Sequence, residues 1–512
     1  MTTELPNATN EGMRTTRSLH VRLAVMMFLQ YFVQGAYLPI LPKYLESGLG
    51  YTTDQLAIFI GAMSIGPLVA PFIIGQLVDR HFASQKVLAA CHFLSGAIMI
   101  ALFCLVKYTQ TSFAVIVAFA AVYAALYTPS MFVSNSLAFH HLKDRERDFP
   151  LVRLFGTIGF IVPAWLIEPL FLRGLEGTEL NFARSVVLAV SGISGLVMGA
   201  YALTLPNTPA LKQEKTLAPG KVIGLLRQRD FLVLVGLSLI LAVAHKFFFF
   251  WNSQYLSDIL IKGDVKGAYE QRISSIGQVF EILVMIVLGL FIKRFGFKKT
   301  MLIGAAAYSI RCLILAYAIT LEEAFRMAIG LVCVGQALHG VCFACFLATA
   351  YMYVDRISPP DIRGSMQNFF GTLIIGLGFF VGSFVSGNVG KLFTSEPVET
   401  AEMTKTAVSN EQEQSAAKAS VPKPTAVDKS VVPNLEIRSA LGIESKAGVT
   451  RFVKNKPDGS QEVRYRDWPG VWLSGAVIAL MGLIGLAVLF PKDTPIASGQ
   501  VADNTNEPDS GA

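Results

Sequence analysis

Twelve mostly apolar stretches run along the chain, at 23–41, 56–78, 87–106, 112–138, 152–172, 185–205, 231–250, 273–292, 300–318, 324–353, 367–393 and 472–490. A helix needs about 20 such residues to cross a hydrocarbon core of roughly 30 Å. The pattern therefore predicts an all-α membrane protein with twelve transmembrane helices. A basic polar loop, 206–230, divides them into two six-helix halves, 20–205 and 231–490, with polar tails at 1–19 and 491–512. One polar insertion, 394–469, interrupts the second half between the eleventh and twelfth stretches.

Composition agrees: 53% of the 512 residues are hydrophobic and 15% charged, and the mean hydropathy is +0.51, far from a soluble globule. The net charge of +7 sits in short loops rather than on a nucleic-acid face, so no nucleic acid is expected as a partner. Arg14, Arg17, Arg80, Lys86, Lys143, Arg145, Arg147, Lys212, Lys293, Arg294, Arg356 and Arg363 fall on one side, while the short loops of the other carry mainly Lys43, Lys107, Arg173, Lys262, Lys266 and Arg272. The positive-inside rule then places both termini in the cytoplasm, for a multi-pass protein of the cell (inner or plasma) membrane. Residues 1–18 lack a short apolar core followed by a small-residue cleavage site, so the first helix is expected to be retained. All six cysteines lie inside apolar spans without metal-ligand spacing, so no disulfide, metal or cofactor is expected.

The first part of the insertion, around Glu411 to Pro433, reads as disordered. Further on, Thr450-Arg-Phe-Val-Lys454 and Gln461-Glu-Val-Arg-Tyr465 flank Pro457-Asp458-Gly459, the signature of a hairpin. A lone hairpin is marginal without a partner surface, so a loose insertion is expected rather than a packed cap.

The halves look like a repeat. Gly75-Gln-Leu-Val-Asp79-Arg80 with Lys86 matches Gly289-Leu-Phe-Ile-Lys293-Arg294 with Lys298 and Lys299, each at the end of a second helix. This arrangement resembles the major facilitator superfamily, which implies a substrate site near midplane between halves that rock in alternating access. Asp79 and Arg80 become candidates for the cytoplasmic rim, as do Asp148 and Arg153 where the fifth helix begins.

Polar side chains at bilayer depth are costly and mark pathways or pairs. His245 and Lys246 precede Phe247 to Trp251 on the seventh helix, Gln278 and Glu281 share a face of the eighth, and Gln336 and His339 share a face of the tenth. At 1.5 Å per residue, Lys246, Glu281 and His339 come out roughly 22, 17 and 21 Å from the inner helix ends. One buried cluster of the three is therefore expected. The first half offers Gln30 and Gln34, Tyr127 and Asn135, and Thr157 and Phe160, a mixture that suits a ligand with hydroxyl or amide groups and a flat ring. His92 and Arg311, on the third and ninth helices, read as interhelical anchors. Metal binding by His140 and His141 lacks a completing carboxylate or thiol.

The stretch Asp148-Phe149-Pro150-Leu-Val-Arg153-Leu-Phe-Gly156-Thr157-Ile158-Gly159-Phe160-Ile161 resembles the bacterial nucleoside:proton symporter family. Phe28-Leu29-Gln30-Tyr31, Cys91-His92, Tyr127-Thr-Pro129, Asn135-Ser136, Gln278 with Glu281, Ile310-Arg311 and Val385-Ser386-Gly387 support it. The resemblance implies that Thr157 and Phe160 contact a nucleoside while Gln278 and Glu281 bind hydroxyls or serve proton coupling. Two departures stand out: Lys246 and Phe249 occupy the place of a polar pair, and His339 that of an aspartate. A lysine beside Glu281 favours the carboxylate, which makes His339, an imidazole that ordinarily titrates near neutral pH, the alternative proton carrier.

The resulting expectation is a monomeric secondary transporter of nucleosides, coupled to protons, with Lys246, Phe249, Gln278, Glu281 and His339 on the substrate and Glu281 and His339 on the proton. The alternatives are a permease or facilitator for another polar solute, such as a sugar or nucleobase, and a non-transporting membrane sensor. No His-Glu-x-x-His, Gly-x-Ser-x-Gly or Gly-x-x-x-x-Gly-Lys occurs, so an enzyme is not expected.

Overall fold

The computed structural model describes residues 8–70, 82–109, 111–142, 145–209, 229–321, 324–358, 363–396, 447–455 and 461–491. Among them, eleven helical segments are long and apolar enough to cross a membrane. They are α1 (Arg17–Gly48), α2 (Thr53–Ala70), α3 (Ser84–Tyr108), α4 (Phe113–His141), α5 (Asp148–Leu172), α6 (Gly177–Ala202), α7 (Arg229–Lys262), α8 (Glu270–Ala318), α9 (Phe325–Ile357), α10 (Met366–Leu392) and α11 (Trp468–Leu489). The 49 residues of α8 contain a break at Gly296, with φ 80° and ψ 174°. A residue without Cβ turns the chain there at little cost. The two arms of α8 on either side of Gly296 hold the eighth and ninth apolar stretches.

Helices α1 to α6 pack on one another, as do α7 to α11. Leu23, Met26, Val133, Leu137 and Met198 form the core of the first group, and Leu234, Leu241, Met301, Phe346 and Phe370 that of the second. The groups meet where α1 faces α7, α2 faces α10 and α5 faces α8. Outward faces stay apolar, with Ile286, Leu290 and Val488 exposed, as helices solvated by lipid require.

Local signals place the ends. Thr52 and Gln55 form a reciprocal capping box at the start of α2. Asp467 caps α11 by accepting from the Gly470 amide at 3.2 Å, and Pro469 fits the first turn.

Two strands, β1 (Val449–Asn455) and β2 (Gln461–Asp467), pair antiparallel with Val449 opposite Asp467 and Val453 opposite Val463. The hairpin is not loose, as the sequence suggested. Phe452, Val463 and Arg466 are buried, the Ser395 amide donates to the Tyr465 carbonyl at 2.8 Å, and the Asp467 amide donates to the Phe393 carbonyl at 2.9 Å. The helix ends supply the partner surface that an isolated hairpin lacks, and a third core joins Tyr44, Tyr123, Trp251, Tyr255, Trp468 and Trp472 from both groups beneath it. The stretch expected to be disordered, the rim residues Asp79 and Arg80, most of the central loop, and residues 1–7 and 492–512 of the terminal tails lie outside the described residues.

Candidate functional site

Midway along the second group, donors converge. Arg311, on the second arm of α8, is fully buried, and its Nη1 donates to His339 Nδ1 on α9 at 3.0 Å. A guanidinium can only donate. His339 Nδ1 is thus the acceptor, and the imidazole is neutral with its hydrogen on Nε2. The Arg311 guanidinium carbon lies 3.7 Å from the Phe248 ring centroid and 5.2 Å from that of Tyr308, contacts worth up to about 2 kcal/mol when desolvated. Its Nε and Nη2 have no acceptor among the described residues.

His245 and Lys246 follow one another on α7. His245 Nδ1 lies 2.7 Å from the Tyr308 hydroxyl, and its ring sits 5.4 Å from that of His339 and 5.5 Å from Phe379, stacked on the latter. Phe249 closes the same wall, 5.1 Å from His245 and 5.2 Å from His339. Lys246 leaves α7 toward α10, where its ammonium lies 5.5 Å from the Phe379 ring centroid. Among the described residues it has no ion pair.

Glu281, on the first arm of α8, is half-buried. A Cβ on Gly340 would stand 2.4 Å from the Glu281 amide nitrogen, so the absence of a side chain there lets α9 press onto α8 and brings Glu281 beside the His339 turn. Glu281 has no hydrogen bond or ion pair among the described residues, and Arg153 of α5 is the cation whose field reaches it. Of the three residues expected to cluster, Lys246, Glu281 and His339, none bonds to another among the described residues. His339 is engaged by Arg311, and Lys246 points to α10. Buried beside them, Gln336 Nε2 donates to Asn252 Oδ1 at 2.8 Å, and Asn252 Nδ2 donates to Ser274 Oγ at 3.1 Å. Gln278 is buried on the same face as Glu281.

Across from this wall, α1 and α5 touch backbone to backbone, since a Cβ on Gly159 would stand 2.1 Å from the Phe28 carbonyl oxygen. That contact fixes Thr157 and Phe160, both half-buried. Arg153, expected at the rim, instead lays its guanidinium 4.0 Å from the Tyr31 ring centroid. Asp148 does lie at the helix start, 3.0 Å from His20 of α1. Gln30 is fully engaged with its neighbours: Nε2 donates to Ser130 Oγ at 2.8 Å, Oε1 lies 2.8 Å from His92 Nε2, and its carbonyl accepts from the Tyr127 hydroxyl at 2.7 Å. His92 is the interhelical anchor the sequence indicated. Gln34 and Asn135 remain half-buried, and Asn135 Oδ1 has no partner among the described residues.

Every ion pair between the two groups among the described residues lies at the hairpin end. Lys43 meets Asp258 at 3.4 Å and Arg184 meets Glu270 at 2.5 Å. Arg272 with Glu168, Lys266 with Glu176, and Lys391 with Asp54 complete the set. Arg466 of the hairpin grips Glu46 of α1 with Nη1 at 3.1 Å and Nη2 at 2.6 Å.

Arg311 makes an interhelical hydrogen bond, as the sequence indicated, and its partner is His339 itself. It stands three residues after Tyr308, which puts both on one face.

A family model described as "Nucleoside H+ symporter" matches residues 17–406. YegT of Escherichia coli (strain K12) is 30% identical over 392 residues, covering 75% of this chain and 87% of that one. The xanthosine permease of the same organism is 27% identical over 401 residues, covering 75% and 90%. The crystal structure of the nucleoside transporter NupG superposes with a TM-score of 0.69 at 20% identity, over 93% of this chain and 100% of that one, which shows the same fold. With the family match running from the start of α1 through the end of α10, the chain belongs to the nucleoside H+ symporter family.

Proposed function

We propose that the protein carries nucleosides together with protons across the cell membrane, as a carrier and not an enzyme, by alternating access of two six-helix halves. Counting the two arms of α8 separately makes twelve spans, and the basic loops favour cytoplasmic termini. The hairpin end then faces out. The ion pairs gathered there suit a conformation closed to the outside, which the opposite conformation must break. A single polypeptide supplies both halves, so a monomer suffices.

One observation carries the proton reading: among the described residues Glu281 is the carboxylate set deep within a span, it is half-buried, and it has no ion pair. A carboxyl group so placed can take and release a proton without dismantling a salt bridge. His339 is less suited to that task, because protonating Nδ1 would break its bond from Arg311. Thr157, Phe160 and Gln278 complete a site with a flat aromatic surface and hydrogen-bonding groups for a sugar and base. Phe249 contributes a second ring, Gln34 and Asn135 further polar groups, and Gln30 and Tyr127 the frame behind them. Asp148 with His20 makes a cytoplasmic rim contact, to which Asp79 and Arg80 belong by their place in the sequence.

Uptake of radiolabelled uridine and adenosine into proteoliposomes, with and without an inward proton gradient, tests this. Gradient-driven accumulation is expected in the wild type and its loss in Glu281→Gln. Equal uptake without a gradient would mean a facilitator, and no uptake of either compound would point to another solute or a sensor.

A further inference from the structure

We infer that Lys246, Arg311 and His339 form a receptor for a negatively charged, acceptor-rich group on the transported solute, so that the preferred substrate is an acidic nucleoside or another organic anion of that size. The inference rests on the transporter reading and narrows its substrate class.

The charges around the site do not balance. Among the described residues three cations, Arg153, Lys246 and Arg311, stand against one carboxylate, Glu281, and Arg153 is the cation whose field reaches it. Other groups packed on Lys246 and Arg311 supply no negative charge: His245, His339, the Tyr308 hydroxyl, and the thiols of Cys312 and Cys342 near Arg311. An uncompensated cation at bilayer depth is costly, and such residues characteristically pair or serve a pathway. Rings of Phe248 and Phe379 offset part of that cost, yet they give no hydrogen-bond acceptor.

Hydrogen-bonding capacity points the same way. The Lys246 ammonium offers three donors and no acceptor. Arg311 keeps Nε and Nη2 unpartnered while fully buried. His339, accepting from Arg311 on Nδ1, has only its Nε2–H left to offer. Lys246 is half-buried and Phe249 with it, whereas Arg311 and His339 are buried. An anionic group would therefore meet the lysine first and then the Nε2–H of His339, with Arg311 holding that imidazole in the donating tautomer. A neutral sugar or base leaves these donors without a charge to bind.

The arrangement also ties the anion to the proton. Protonating Glu281 removes the site's one negative charge and strengthens its attraction for an anion. By linkage, a bound anion favours protonated Glu281 to the same extent.

The test is equilibrium binding to the full-length protein in detergent, using matched acidic and neutral compounds at slightly alkaline pH. The pairs are xanthosine, whose base is then deprotonated, against inosine; orotidine, with its carboxylate, against uridine; and glucuronate against glucose. The acid is expected to bind roughly tenfold or more tightly in the pairs that bind. In Lys246→Gln the ratio should fall toward one, and in Lys246→Arg it should persist. Equal or reversed wild-type preference would overturn the inference, as would a ratio unchanged in Lys246→Gln. Should that variant fail to fold, the wild-type ratio still decides. If glucuronate binds over glucose while no nucleoside binds, the anion receptor stands and the nucleoside reading falls. If no acid binds, the receptor falls.

Discussion

At the hairpin end and at midmembrane the protein buries the same kinds of charged side chain, but only at the hairpin end are they matched. Asp258 there accepts from Lys43 at 3.4 Å, from Thr450 Oγ1 at 2.8 Å and from Trp468 Nε1 at 3.0 Å. Arg466 meets Glu46 through two nitrogens, both side chains almost wholly buried. At midmembrane Lys246 rests over a ring, Arg311 leaves two nitrogens unbonded, and Glu281 has no partner among the described residues. Matched charges act as struts that hold one conformation. Unmatched ones leave binding capacity for what passes through, be it a proton or an anion.

Breaking a strut should be the most damaging change. Glu46→Ala leaves the Arg466 guanidinium buried without its carboxylate, at a cost of about 3–5 kcal/mol, read as a lower midpoint of thermal unfolding in detergent. Replacing both partners, Glu46→Leu with Arg466→Met, should recover most of that loss, because two apolar side chains remove the need for a pair. If Glu46→Ala unfolds like wild type, the struts are not struts. A milder cut tests the same network. Thr450→Val keeps the shape and removes one of three donors to Asp258, for an expected loss of about 1 kcal/mol.

Much of this contrast was legible in the chain, and its gaps have physical reasons. Apolar runs of span length gave ten of the segments almost directly, because bilayer thickness leaves helices little freedom in length. The eighth and ninth stretches are likewise two helical arms, parted at Gly296, whose φ of 80° and ψ of 174° are not helical. Thr157, Phe160 and Glu281 are half-buried and Gln278 is buried. The bonding partners were not legible. Rise per residue says nothing of which side chains meet, and Lys246 lies over the Phe379 ring while His339 accepts from Arg311. The alternation of the two strands was readable as well, the turn residues Pro457, Asp458 and Gly459 lying outside the described residues, whereas the anchoring was not, because Glu46 lies 420 residues from Arg466 and no local pattern announces such a pair.

The smallest expected effect separates burial from mere pairing. Lys266 and Glu176 also join the two groups at the hairpin end, at 3.3 Å, but their side chains are 71% and 48% exposed. Water there already solvates both charges, and holding two long side chains together costs entropy, so such a pair contributes between zero and about 1 kcal/mol. Lys266→Ala should therefore shift the unfolding midpoint little, and raising the salt concentration should erase even that shift, because exposed pairs are screened. The Glu46→Ala defect should survive the same salt, since a buried pair is screened much less. Were Lys266→Ala as damaging as Glu46→Ala, the number of links between the groups would matter and their burial would not, and the midmembrane cations could no longer be read as unmatched because they are buried.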